Sequence, residues 1–134
     1  SEATVARGVA LGTYSKADTA SGVSGYDANA NRTNKYAGLT GNTLTSSWGA
    51  VSIGDGTNTR QMTGLAAGTK DTDAVNVAQL KNVGVAVTGN TGKSDFLTDG
   101  GKLNVIGTGR VSTVAAHDGA KDSKITVGFD DKVW

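Results

Sequence analysis

Short apolar alternations closed by glycine recur along this chain. They read Gly8-Val9-Ala10-Leu11-Gly12, Ala50-Val51-Ser52-Ile53-Gly54, Leu103-Asn104-Val105-Ile106-Gly107 and Ile125-Thr126-Val127-Gly128. A period of two places the apolar side chains on one face of a strand. The closing glycine permits a tight turn at positive φ. Many short strands at short intervals predict an all-β roll, prism or barrel. There is no proline, so the turns must be built from Gly, Asn and Asp.

What such strands can bury is limited. Of 134 residues, 20 are glycine and only 5% are aromatic; Ala and Val supply much of the 37% apolar content. One copy has few large side chains to set against the entropy of ordering a glycine-rich backbone. Disorder fits poorly, because the charge is balanced at +1 and the β-branched residues fall in patterned clusters. A roll stacked on itself, or a core shared between identical chains, remains, and sharing is the better reading.

Several functions are excluded. Without cysteine there are no disulfides, thiolate zinc clusters or thiol nucleophiles. His117 is the single histidine, so no histidine metal cluster forms within one chain; beside Asp118-Gly119 it reads as a turn residue. The glycine stretches at 8–12, 54–56 and 107–109 lack the setting of a phosphate cradle. Asp55, Asp71, Asp73, Asp99 and Asp118 do not fall in a calcium-loop pattern. No catalytic constellation is present, so an enzyme is not expected, nor a cofactor or metal. The basic residues, among them Arg7, Arg32, Arg60, Lys81, Arg110 and Lys121, are scattered, which argues against nucleic acid as a partner. No apolar run approaches the ~20 residues of a membrane span, and no signal peptide is visible. The chain reads as a fragment of a longer protein.

Along the chain, residues 1–27 read as the end of a β-roll: Val9 and Leu11 point the same way, and Ser15, Ala17, Ala20, Ser21 and Gly22 are small enough for close stacking of coils. Residues 28–47, rich in Asn and Thr, read as a long loop or irregular strand pair, and residues 48–56 as a strand and turn. Within 57–81, Ala74, Val77, Ala78 and Lys81 recur at helical spacing, with Val77 and Leu80 as an apolar stripe. Asp71, Thr72 or Asp73 is placed to cap that helix. It is too short to stand alone and implies neighbours. After a boundary near residue 82, strands are predicted at Asn82–Gly89, Lys102–Ile106, Arg110–Ala116 and Lys124–Phe129, with turns at Gly89-Asn90, Asp99-Gly100-Gly101, Asp118-Gly119 and Asp130-Asp131. Trp134 is given no role.

The run Thr59-Arg60-Gln61-Met62-Thr63-Gly64-Leu65-Ala66-Ala67-Gly68-Thr69-Lys70-Asp71-Thr72-Asp73-Ala74-Val75-Asn76-Val77-Ala78-Gln79-Leu80-Lys81 closely resembles the neck motif of trimeric autotransporter adhesins. Residues 8–27 resemble the last head repeat of that family. Residues 22–58, with Gly25-Tyr26-Asp27 and Trp48, resemble its tryptophan-ring module. Residues 82–134 resemble a second β-prism head module, the GIN type. The resemblance implies four segments: a β-roll end at 1–27, a tryptophan-ring-like prism at 22–58, a neck at 59–81 and a GIN-like prism at 82–134. The implied architecture is homotrimeric, all-β, with a brief helical segment in the neck. It implies a head on the outer surface of Gram-negative bacteria, held in the outer membrane by an anchor absent from this fragment. It also implies binding to host extracellular matrix, such as fibronectin, laminin or collagen, or to cells, with self-association and biofilm formation, and so a part in virulence.

At the residue level the resemblance places Trp48 where three chains meet. Met62, Leu65, Val77 and Leu80 are expected at the trimer interface, and Asp71 or Asp73 is expected to pair with Arg60 or Lys70 of a neighbouring chain. The alternatives are a phage tail-fibre or tailspike segment and a passive spacer displaying a binding tip elsewhere. No ligand can be read; Tyr14, Tyr26 and Tyr36 are candidate contacts on composition alone.

Overall fold

The computed structural model describes residues 1–95, 101–118 and 122–130. It consists of strands and coil with little helix, and the chain divides into two units, Ser1–Leu80 and Lys81–Trp134.

The first unit is built on stacked parallel coils. Strand β1 (Glu2–Ala3) pairs with β3 (Lys16–Ala17), and β2 (Val9–Ala10) pairs with β4 (Val51–Ser52), both in parallel. The ladder is carried by backbone bonds of 2.8–2.9 Å from Glu2 to Ser15, Thr4 to Ala17, Val9 to Ala50 and Leu11 to Ser52. Ser15 and Ala17 are the only buried positions among the described residues. Their small side chains let successive coils approach, so this unit rests on its backbone ladder and not on a core of large side chains. Between β3 and β4 the chain makes a long excursion containing a 3₁₀ turn at Gly41–Thr43. The unit closes with the turn Asp55–Asn58, an irregular segment over 59–76 and a helix, α1 (Val77–Lys81).

Among the described residues, the regular structure of the second unit is an antiparallel hairpin of β5 (Val111–Asp118) and β6 (Asp122–Phe129). Opposed pairs Val111–Phe129, Thr113–Val127 and Ala115–Ile125 share a face. That face is apolar and open: Val127 and Phe129 are 61% and 83% exposed. A lone two-stranded hairpin is marginally stable in water, so such a face needs a cover.

Three expectations are corrected. Asn82–Gly89 holds isolated bridges at Val85 and Thr88, the latter to Lys93, and Lys102–Ile106 forms no strand, because neither segment builds a continuous backbone ladder among the described residues. His117 lies within β5 opposite Ser123, since the hairpin register extends the strand to Asp118. The turn residues expected at 99–100, 119 and 131, and Trp134, lie outside the described residues.

The single chain exposes 11244 Å². A compact monomer of its 13.5 kDa exposes about 6,500 Å². Most of the Val, Leu, Tyr and Trp side chains contribute to the excess.

Candidate functional site

The segment that resembles a neck motif, residues 59–81, begins where the last coil ends, and Arg60 joins the two. Its Nη1 donates to Ser15 Oγ at 3.1 Å and to the Ile53 carbonyl at 2.8 Å, and its Nη2 donates to the Thr13 carbonyl at 2.6 Å. Ser15 in turn donates its hydroxyl to the Leu11 carbonyl. Gly12 makes room for this: its φ is +92°, and a Cβ there would sit 2.9 Å from the guanidinium carbon. Only glycine adopts that backbone and leaves that space. The planar fork of Arg60 thus grips two successive coils of its own chain.

Further along, the acidic residues shape the neck locally. Asp73 accepts from the backbone N–H of Thr69 at 2.9 Å and of Lys70 at 3.0 Å. These bonds, Lys70 first and then Thr69, hold its carboxyl below the usual carboxylate range. Asp71 accepts from the Tyr36 hydroxyl at 2.7 Å, which raises the Tyr36 pKa, the hydrogen bond to Asp71 being the main cause. At the preceding turn Asp55 accepts from Asn58 and Thr57, with the Asn58 backbone bond the main cause of its lowered pKa.

The helix cap differs from expectation. Asn76, and not Asp71, Thr72 or Asp73, starts α1: Gln79 N–H donates to Asn76 Oδ1 at 3.0 Å, and Asn76 N–H donates to Gln79 Oε1 at 3.2 Å. This reciprocal box satisfies donors at both ends of the first turn. Gln79 also pairs with both backbone groups of Gly68, at 3.1 and 3.0 Å, and Asn76 Nδ2 reaches the Leu65 carbonyl at 3.1 Å. Two amide side chains therefore fix the helix to the bend before it. The Asn-x-x-Gln spacing was visible in the sequence; the acidic pair ahead of it drew the assignment away.

The residues expected at an interface are open in the single chain. Trp48, Met62, Val77 and Leu80 are each 61–68% exposed, and Leu65 is 38% exposed. Trp48 lies at the root of the excursion with the Arg7 guanidinium 5.1 Å from its ring centroid, a cation–π distance. No group of metal-ligating side chains occurs among the described residues, and no described helix is long and apolar enough to cross a membrane.

Residues 61–102 match the family model described as the coiled stalk of trimeric autotransporter adhesin. Across 96% of its length the chain is 38% identical to the autotransporter adhesin BadA of Bartonella henselae, covering 4% of that protein. Across 70% of its length it is 44% identical to the trimeric autotransporter adhesin AtaA of Acinetobacter sp. strain Tol 5, covering 3%. The chain thus spans a small fraction of the curated relatives it matches. No solved structure matches. On these matches the chain is related, along nearly its whole length, to a segment of the trimeric autotransporter adhesins.

Proposed function

We propose that this chain is an adhesive and structural segment of a homotrimeric bacterial surface adhesin, not an enzyme. One observation carries the reading: among the described residues only Ser15 and Ala17 are buried, and the chain exposes about 1.7 times the area of a compact monomer. The excess, about 4,700 Å² per chain, is no smaller than the roughly 1,000–2,500 Å² that one partner contributes to an obligate interface. Three copies around one axis would cover Trp48, Met62, Leu65, Val77 and Leu80. Asp71 or Asp73 would face Lys70 or Arg60 of a neighbour, in exposed pairs each contributing about 1 kcal/mol or less.

In this reading the segment runs through tryptophan-ring-like, neck and GIN-like modules in that order. It stands outside the cell on a protein held in the outer membrane. It attaches to host extracellular matrix or cells, with fibronectin, laminin and collagen as the ligands to test, and promotes self-association. The relatives' names support adhesion.

Light scattering tests the assembly: the expected mass is about 40 kDa, three times that of one chain. Because unfolding would release three chains, a tenfold dilution should lower Tm by about 4 °C, taking about 0.7 kcal/mol of unfolding enthalpy per residue. A cooperatively melting single-copy species, with Tm independent of concentration, refutes the trimer. Binding of the purified assembly to immobilised fibronectin, laminin and collagen then tests adhesion; no binding to any of them assigns the segment to spacing instead.

A further inference from the structure

The second coil of the roll is interrupted at one point. In the first coil the Gly8 N–H closes on the Val5 carbonyl at 3.1 Å, a tight turn with Arg7 in the left-handed region at φ 58°. In the second coil the equivalent bond runs from the Ala50 N–H to the Thr19 carbonyl at 3.0 Å, with residues 20–49 between donor and acceptor. The register shows the same interruption. Glu2 pairs with Lys16, one coil length further along the chain, while Val9 pairs with Val51, three times as far along. The surplus of two coil lengths leaves the stacking undisturbed: Val9 and Leu11 still donate to Ala50 and Ser52 as Glu2 and Thr4 do to Ser15 and Ala17.

The excursion has its own stem and its own far attachment. Gly22 and Gly25 donate to the carbonyls of Ser46 and Leu44 at 2.8 and 2.7 Å, and the Ser24 and Thr45 hydroxyls meet at 2.9 Å. At its outer end the Tyr36 ring folds over Gly38, where any Cβ would collide with it, and the hydroxyl reaches Asp71 of the neck. A cleft of about 440 Å³ lies between excursion and neck, lined by Asp27, Lys35, Tyr36, Lys70, Asp73 and Val75 among others.

We propose that residues 20–49 are a strap plugged into one turn of the roll and buckled to the neck by the Tyr36–Asp71 hydrogen bond. The roll carries the strap without depending on it, and the buckle decides whether the cleft beneath is closed. The inference does not use the trimer reading, and its readouts are local amides and local cleavage, which report on one chain in any assembly.

Two variants test it. The first deletes Ala20–Ser47, the whole surplus, and joins Thr19 to Trp48. Gly49 then falls at the left-handed position that Arg7 holds in the coil above. Exchange protection of the Val9 and Leu11 amides should stay within about threefold of the parent. Loss of that protection, or failure of the variant to fold, overturns the independence of the roll. The second variant is Tyr36→Phe in the intact chain, which removes only the buckle's donor. Trypsin should cut after Arg32 and Lys35 about fivefold faster or more, with Val9 and Leu11 protection unchanged. An unchanged cleavage rate overturns the buckle; Asp71→Asn, which keeps an acceptor oxygen but loses the charge, should fall between parent and Tyr36→Phe.

Discussion

Replacing Arg60 by Ala removes three hydrogen bonds at once: those to Thr13, Ser15 and Ile53. Bonds to a charged donor contribute about 1.5–3 kcal/mol each in protected sites. Two of these three acceptors are carbonyls in exposed surroundings, where water takes over much of the bonding. The bond to Ser15 is different, because Ser15 is 1% exposed and its hydroxyl already donates to Leu11. Its remaining acceptor capacity has no access to water, and the truncation leaves it unmet. A net loss of about 2–3 kcal/mol per chain follows. At about 4 °C per kcal/mol for a chain of this length, Tm should fall by about 10 °C. If three chains unfold together, loss and unfolding entropy scale alike and the shift is unchanged. Arg60→Lys keeps the charge but cannot span three acceptors, so it should recover less than half of the loss. Differential scanning calorimetry at fixed concentration reads all three proteins. A melting point for Arg60→Ala within about 1 °C of the parent would refute the claim that this side chain joins roll to neck.

Gln79→Ala should destabilise the neck more than Asn76→Ala, by about 1 kcal/mol, because the Gln79 side chain makes three of these hydrogen bonds and the Asn76 side chain two; equal effects in denaturant melts would count against this. Asp55 and Asp73 have folded pKa values below their ordinary ones, so the stability they add is present above about pH 4 and is lost as pH falls through the folded values. Asp55→Asn and Asp73→Asn should therefore flatten the acid limb of a Tm-against-pH curve, and an unaltered limb would contradict the assignment. Trp48→Ala should lower the melting point of the trimer, since a Trp between subunits hides about 150–250 Å²; an unchanged value would remove Trp48 from the interface.

The strand texture was legible because period-two patterning is written locally, and the hairpin at 111–129 emerged close to its predicted limits. Stacking on small residues was legible in part: Ser15 and Ala17 close up, while Ala20, Ser21 and Gly22, equally small, are exposed where the chain leaves the roll. Asn82–Gly89 and Lys102–Ile106 carry the same alternation and still form no strand, because a strand needs a continuous edge to pair with and the described residues offer at most isolated bridges. The cap was misassigned through charge: Asp71 and Asp73 are suited to a helix start, yet Asp73 is taken up by the backbone of Thr69 and Lys70. The grip of Arg60 on Thr13 and Ser15 reaches across most of the first unit's sequence, and nothing in local spacing announces it. The surplus between Val9 and Val51 was hidden for a related reason. Gly22-Val23-Ser24 sits one coil length after Gly8-Val9-Ala10 and offers a rival partner that the chain passes over.

A scaffold whose shape resides in main-chain bonds has an evolutionary freedom that a packed core denies. Ser15, Ala17 and Gly12 tolerate almost no change, since each sits where neighbouring backbone or the guanidinium leaves no room. Most outward polar positions on the coils answer to no internal partner. Such a surface can drift residue by residue while the coil beneath keeps its pitch. Sequence variation should therefore concentrate on the outward positions and spare these few cramped sites.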